Sequence, residues 1–340
     1  MIARVFLIGG SVLGPEILIG ARLGLGLGSE ETIVFLTGGH NDYGDQKSSE
    51  VFPFLKYNKC STPPVKIRPS ALFLTADRSP RLAVCNGWRR TDNTDCLVLS
   101  TDQRSWEANI LDPLPASSYH AAVTLKSIGV YLIGGGQSHQ DDETSEFLAS
   151  GSTKWRRGPA LPLQMTEPCL VAIAERRFLA IFDDNILEYF VQIINYPTSD
   201  DGWQDASTWP KLPAKRSGGF GCSTINDKVV IAGGFVSGSV TKSTEVLDLR
   251  TGVLRKANNL ITQRANFQVV TITAHGVERA LAMGGHDYSW YDDTVEQFDT
   301  QTLSWEVVRE PLSVARGYFK AIALPRGMIC HAPGDHSVWG

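Results

Sequence analysis

The chain has 340 residues, 42% of them hydrophobic, with a formal net charge of −4 and a pI near 6.0. This composition is enough to bury a large core, and the lack of a basic excess or any Lys/Arg run argues against a nucleic-acid module. A chain of this length would ordinarily suggest two domains, but an internal repeat overrides that expectation.

Residues 1–31 stand apart from the repeat. Arg4 precedes an apolar run from Val5 to Leu13, which Pro15 and Glu16 cut short. The run is too short to span a membrane. It reads as a signal peptide or an irregular N-terminal arm, with Ala21 the best small residue for cleavage. The signal-peptide reading slightly favours a secreted protein over a cytoplasmic one, although the chain contains no N-x-[ST] sequon.

From Thr32 onward one pattern recurs. The apolar run TIVFLT stops at Gly38-Gly39, and similar runs stop at Gly134-Gly135, Gly233-Gly234 and Gly284-Gly285. Midway in the two long gaps stand RLAVC before Asn86-Gly87 and FLAIF before Asp183-Asp184. Asn and Asp tolerate left-handed backbone, so these read as degenerate doublets. Six units with a period of about 50 residues result, a propeller-type spacing. Other positions keep the same beat. Glu50, Glu146, Glu245 and Glu296 each follow a doublet by twelve residues. Trp106, Trp155, Trp203 and Trp305 come later in their units, with Leu254 in that slot in unit five. Leu114, Leu161, Leu212, Leu260 and Leu312 mark the turn into the next unit, and the last three are followed four residues on by Arg216, Arg264 and Arg316.

First strands are expected at SALFLTA, at YHAAVTL from Tyr119, at CLVAIA from Cys169, at GGFGCSTI from Gly218 and at FQVVTIT from Phe267. Unit one opens on its second strand. The spare run Gly317–Leu324 is expected to complete it and close the ring, removing the open edges that invite aggregation. The insertion VQIINYPTSDD falls in unit four.

These features resemble kelch repeats: an apolar strand ending in Gly-Gly, a Glu-apolar-apolar-Asp strand (Glu245 to Asp248), a spaced Trp, then Leu and Arg. The resemblance covers residues 32 to about 331. It implies an all-β, six-bladed kelch-type β-propeller over 32–340, with four antiparallel strands per blade, closed by a C-terminal strand, and ligands held by loops on one face. It does not imply one function.

None of the six cysteines forms a C-x-x-C pair, which argues against a zinc ribbon or a thioredoxin-like site. Cys85 ends one strand and Cys96 opens the next, so a hairpin would place them opposite each other as a disulfide. Cys169 and Cys222 occupy first strands of adjacent units, and Cys60 and Cys330 both fall in the closing unit. The competing reading makes all six small buried hydrophobes.

The loops after the doublets should share one face. His40 and Tyr43, then Trp88, Arg89 and Arg90, then His139, and finally His286, Tyr288, Trp290 and Tyr291 are the candidate binding residues. Aromatic rings with polar tips suit recognition, although they also pack well against neighbouring loops. Arg216, Arg264 and Arg316 recur at one position. They are expected either around the channel, where they would grip an anion, or in structural pairs with the recurring carboxylate. His40 and His286 follow their doublets directly in units that closure makes neighbours, but two histidines are a weak constellation. No nucleophile elbow, phosphate loop or HExxH is present, and no cofactor or metal is implied. The leading expectation is a monomeric, non-catalytic scaffold recognising a protein, peptide or glycan. The alternatives are a sugar-acid isomerase-like enzyme, a kind of activity known among kelch propellers, and a structural extracellular protein.

Overall fold

A computed structural model describes residues 31–46, 48–52, 69–86, 96–101, 105–114, 121–134, 145–165, 167–191, 202–204 and 207–329. Six antiparallel sheets follow one another along the chain. Blade five shows how each is built. Val229, Val230, Ile231 and Ala232 are buried on both faces of Lys228–Ala232, so this strand needs a partner on either side. It finds Gly221–Ile225 on one edge and Thr244–Asp248 on the other, and Leu254–Lys256 completes the sheet. Blades two, three and six have the same four-strand order. In blade four, three strands run from Cys169 to Phe190, and Trp203 bridges back to Tyr189.

Closure is as expected from the spare C-terminal run. Lys320–Pro325 pairs antiparallel with all six residues of Thr32–Thr37, which pairs in turn with Ser49–Phe52. The six inner strands then contact one another around a complete circle, from Lys320–Pro325 through Pro69–Leu74 and back. The recurring tryptophans tie blade to blade. Trp106 meets Phe35, Trp155 meets Phe73 edge-on, and Trp305 donates its indole N–H to Thr244 Oγ1 at 3.0 Å. Each contact reaches the preceding blade, so burying an outer strand and seating its neighbour are one event.

The inner strands begin later than their apolar runs suggest. GGFGCSTI becomes a strand only at Gly221, FQVVTIT at Gln268 and the closing run at Lys320. The cause lies in the backbone just before each strand, where Gly219, Asn266 and Tyr318 have φ of 64°, 52° and 59°. Residues in left-handed backbone cannot sit in an extended ladder. The doublets are left-handed as well. A Cβ on Gly233 would lie 2.6 Å from the Arg264 carbonyl oxygen, so only glycine lets the next blade approach so closely. Asp183, in the degenerate doublet of blade four, takes φ 51° in the same way. No helix among the described residues is long and apolar enough to cross a membrane.

Candidate functional site

The three recurring arginines are all buried, with relative exposures of 2% or less. Arg264 is 0% exposed and donates to the Gly284 carbonyl at 2.8 Å, Thr294 Oγ1 at 2.8 Å and Glu296 Oε1 at 2.7 Å, with Asp292 Oδ2 at 3.1 Å. Glu296 also accepts the backbone N–H groups of Ile261 and Thr262. Arg216 repeats the arrangement with the Gly233 carbonyl, Ser243 and Glu245. Arg316 repeats it with the Gly38 carbonyl, Ser48 and, at 3.7 Å, Glu50. Each arginine therefore latches the loop before the inner strand to the second and third strands of its own blade. None lines the channel. Of the two expectations for Arg216, Arg264 and Arg316, the channel ring that would grip an anion is corrected and the structural pairing with the recurring carboxylate holds, because every guanidinium is already committed to carbonyls and a carboxylate inside its blade.

The aromatic loops do come together. The hairpin His40–Asp45 of blade one and the loop Asp287–Asp292 of blade six meet where closure joins these blades. Tyr291 lies between the two histidines, its ring centroid 5.8 Å from that of His40 and 5.6 Å from that of His286. His40 Nδ1 faces Asp45 Oδ1 at 3.0 Å. His286 is buried against Asn266, with Nε2 2.9 Å from the amide nitrogen, and stacks on Tyr318 at 5.2 Å. Burial holds its imidazole below the usual histidine range, only partly opposed by Asp287. Burial, and then the Asp42 charge, push the Tyr291 phenol up. Around the buried His286 and the half-buried Tyr291, Tyr43 (95%), Tyr288 (68%) and Trp290 (55%) are exposed. Tyr288 is braced by its hydroxyl on the Gly238 carbonyl of blade five at 3.2 Å and by its ring on Phe235. Trp88, Arg89, Arg90 and His139 lie outside the described residues. Among the described residues, no group of three or more His, Cys, Asp or Glu side chains is placed to hold a metal.

A second feature on the same face was not anticipated from the sequence. The inner strands enclose a cavity of about 250 Å³ at the mouth of the channel. Glu167, Gly219, Asn266 and Tyr318 collar it, each left-handed and each two residues before its inner strand. The collar is joined across blades. The Tyr318 N–H donates to the Asn266 carbonyl at 2.8 Å, the Asn266 N–H to the Gly219 carbonyl at 2.7 Å, and the Gly219 N–H to Glu167 Oε2 at 3.0 Å. Lys320 and Gln268 follow on the inner wall. Burial raises the Glu167 carboxyl, opposed by the Gly219 N–H and by Lys320. Burial also lowers the Lys320 amine, opposed by Glu167. The available signal was positional: these residues stand at one offset from each inner strand, but no shared residue type marks that offset.

Among the described residues, four cysteines form two disulfides. Cys85–Cys96 joins cross-strand partners in blade two, as the hairpin spacing predicts, with Cα atoms 4.1 Å apart. Cys169–Cys222 joins the inner strands of blades four and five in the channel wall. Cys60 and Cys330 lie outside the described residues. Such bonds form and persist in oxidising environments.

A closed circle of six antiparallel sheets around a channel, with glycine doublets at one face, defines a six-bladed β-propeller. Residues 216–259 match the kelch motif, a span that holds Arg216, the Gly233-Gly234 doublet and Glu245. With the repeated latch and the six blades, the chain is a kelch-repeat β-propeller. No curated protein matches it at a significant level.

Proposed function

We propose that this propeller is a non-catalytic recognition module that binds a protein partner through the rim formed by blades one, five and six. One observation carries this reading. Exposed Tyr43, Tyr288 and Trp290 surround the buried His286 and the half-buried Tyr291 packed against it, and three separate chain segments converge there. Rigid aromatic anchors next to a desolvated centre are the composition of an interaction hot spot. The sugar-acid reading has lost the arginines that were to grip a carboxylate, because they are committed to latches. The disulfides favour work outside the reducing cytosol and fit a signal peptide within residues 1–31.

The test is affinity cross-linking from the source tissue, followed by reconstitution with each purified candidate. Tyr288→Ala/Trp290→Ala should weaken the reconstituted complex by at least about 1–2 kcal/mol, the usual range for an aromatic hot spot. Val277→Ala, at the start of the second strand of blade six, beside the turn from the first strand and so at the opposite face, should leave it unchanged. A complex that resists the rim double variant and yields to changes on the opposite face would assign recognition to that other face.

A further inference from the structure

We propose that His286 is an acid-sensitive wedge in the aromatic rim: the rim is assembled around the neutral imidazole and loosens when that ring is protonated. This regulation acts on the surface assigned to recognition above and takes its meaning from that reading, but it is read out on the rim itself.

The geometry starts from the ring nitrogens. Nδ1 faces the Tyr288 backbone N–H, whose nitrogen is 3.4 Å away, and Nε2 lies 2.9 Å from the Asn266 amide nitrogen. A neutral imidazole has one lone pair to offer and one N–H to give, whereas an imidazolium has two N–H groups and no lone pair. With the Asn266 amide as placed, the cation meets a donor at both nitrogens. Turning that amide end for end brings its oxygen to Nε2 and relieves one of them. The Tyr288 N–H is backbone and cannot turn, so a proton on Nδ1 still meets a donor.

The surroundings also favour the neutral ring. His286 is 8% exposed, and rings from three segments enclose it. They are Tyr318 before the closing strand at 5.2 Å, Tyr291 and Tyr288 of its own loop at 5.6 and 6.0 Å, and Phe235 of blade five at 6.1 Å. Asp287 is the charge that favours the cation, and its Oδ1 already accepts the Ser289 and Trp290 N–H groups at 2.9 and 3.2 Å. Burial outweighs it. His40 and Asp42 of blade one reach this centre through Tyr291.

The wedge sits on the seam where the ring closes. The His286 N–H and C=O pair with Ala265 at 3.0 and 2.9 Å. Gly317, packed so close to the ring that a Cβ there would lie 3.2 Å from His286 Cδ2, pairs both ways with His40 at 3.0 and 2.8 Å. A ring that leaves this pocket to hydrate its charge therefore uncouples the loop carrying Tyr288, Trp290 and Tyr291 from its neighbours on both sides. A histidine held below its unfolded value of about 6.5 takes up its proton more readily once released. The rim is thus fully assembled above that pH and opens as pH falls through the lower, folded value. Glu50, Glu146 and Glu167 act in the opposite sense, because burial raises their carboxyls and acid favours their neutral forms.

Hydrogen exchange of the full chain tests this, read by mass spectrometry at about pH 7.5 and about pH 5 with labelling times scaled to the intrinsic exchange rate. Protection over residues 285–292 should fall at least about threefold in acid, with no loss over Lys228–Ala232 of blade five. His286→Phe keeps an aromatic ring in the pocket but takes no proton, so its rim should hold in acid. His40→Gln, which removes the other histidine of the rim, should open as the native protein does. The midpoint of the native curve decides the matter if His286→Phe does not fold: it must lie below about pH 6.5 and above the carboxylate range near about pH 4. A midpoint within the carboxylate range would overturn the proposal, as would equal acid responses in the native and His286→Phe proteins, or unchanged protection over residues 285–292. Each of these outcomes leaves the Tyr288→Ala/Trp290→Ala test of recognition standing, so the two readings fail separately.

Discussion

Blades five and six on one side, and blade three on the other, solve the same problem with different success. All three carry a buried glutamate opposite the same point of the second strand: Glu245 against Ile231, Glu296 against Ala282 and Glu146 against Leu132. In blades five and six the carboxylate receives an arginine and is fully engaged. In blade three, Leu114 is followed by Pro-Ala-Ser-Ser-Tyr-His, with no arginine. Burial then drives the Glu146 carboxyl up to about 7, opposed only by the charge of Arg157 on the outer strand. Blade four removes the problem altogether. Met165 stands four residues before its inner strand, as Arg264 does in blade six, and packs in one apolar cluster with Leu187 of the third strand. Blade two places the Cys85–Cys96 disulfide at the glutamate register. One structural position thus accepts an ion pair, an apolar contact or a covalent bond, and fails only when one charge remains without its partner. Replacing both members of a buried pair is often neutral, whereas removing one is costly.

The largest break in this comparison is removal of residues 313–340. That deletes Arg316 and the closing strand together, leaving blade one without its latch and its neighbours with open edges. The expected result is aggregation or loss of the cooperative melt, read by size-exclusion chromatography and calorimetry; a monomer with an unchanged melting curve would show that closure is dispensable. Next in size, Arg264→Met should cost about 3–5 kcal/mol by stranding Glu296 and Asp292, while Arg264→Met/Glu296→Leu, which copies blade four, should recover most of it. Denaturant unfolding measures both, and equal losses in the single and double variants would refute the stranded-charge account. Cys85→Ser/Cys96→Ser opens a short loop and should cost roughly 2–3 kcal/mol in the same assay.

The smallest effect concerns pH. Glu146 has a folded-state pKa above its unfolded value, so the native chain binds the extra proton between about pH 4.5 and 7. Its contribution to stability is therefore greatest below that window and is lost as pH rises through it. Glu146→Gln should leave the melting temperature near pH 4.5 almost unchanged and raise it at pH 8, by an amount worth at most about 3 kcal/mol. Parallel pH profiles for the two proteins would show that Glu146 does not titrate in this way.

Much of this architecture is written in local chemistry. Gly38, Gly233 and Gly284 mark strand ends because only glycine allows the left-handed turn and the approach of the next blade. The Leu-to-Arg spacing and the recurring Glu survive in the sequence because each blade repeats the same latch. The candidate sites were legible in part. The loop holding His286, Tyr288, Trp290 and Tyr291 stood out because it is too aromatic for a solvent loop with no core to fill. The channel residues did not, since Glu167, Asn266 and Tyr318 share an offset and a backbone conformation but no residue type.

The sequence by itself determined the repeat, its period and the spare strand that closes the ring, because these rest on spacing that recurs along the chain, and it offered the hairpin cysteine pair beside a reading of all six cysteines as buried hydrophobes. Whether the arginines faced the channel or the blade, and which side chains met at its mouth, was decided only by the tertiary structure. Those outcomes depend on how six sheets pack around an axis, and burial and charge partners arise from residues far apart in the chain, 278 positions in the Arg316–Gly38 contact.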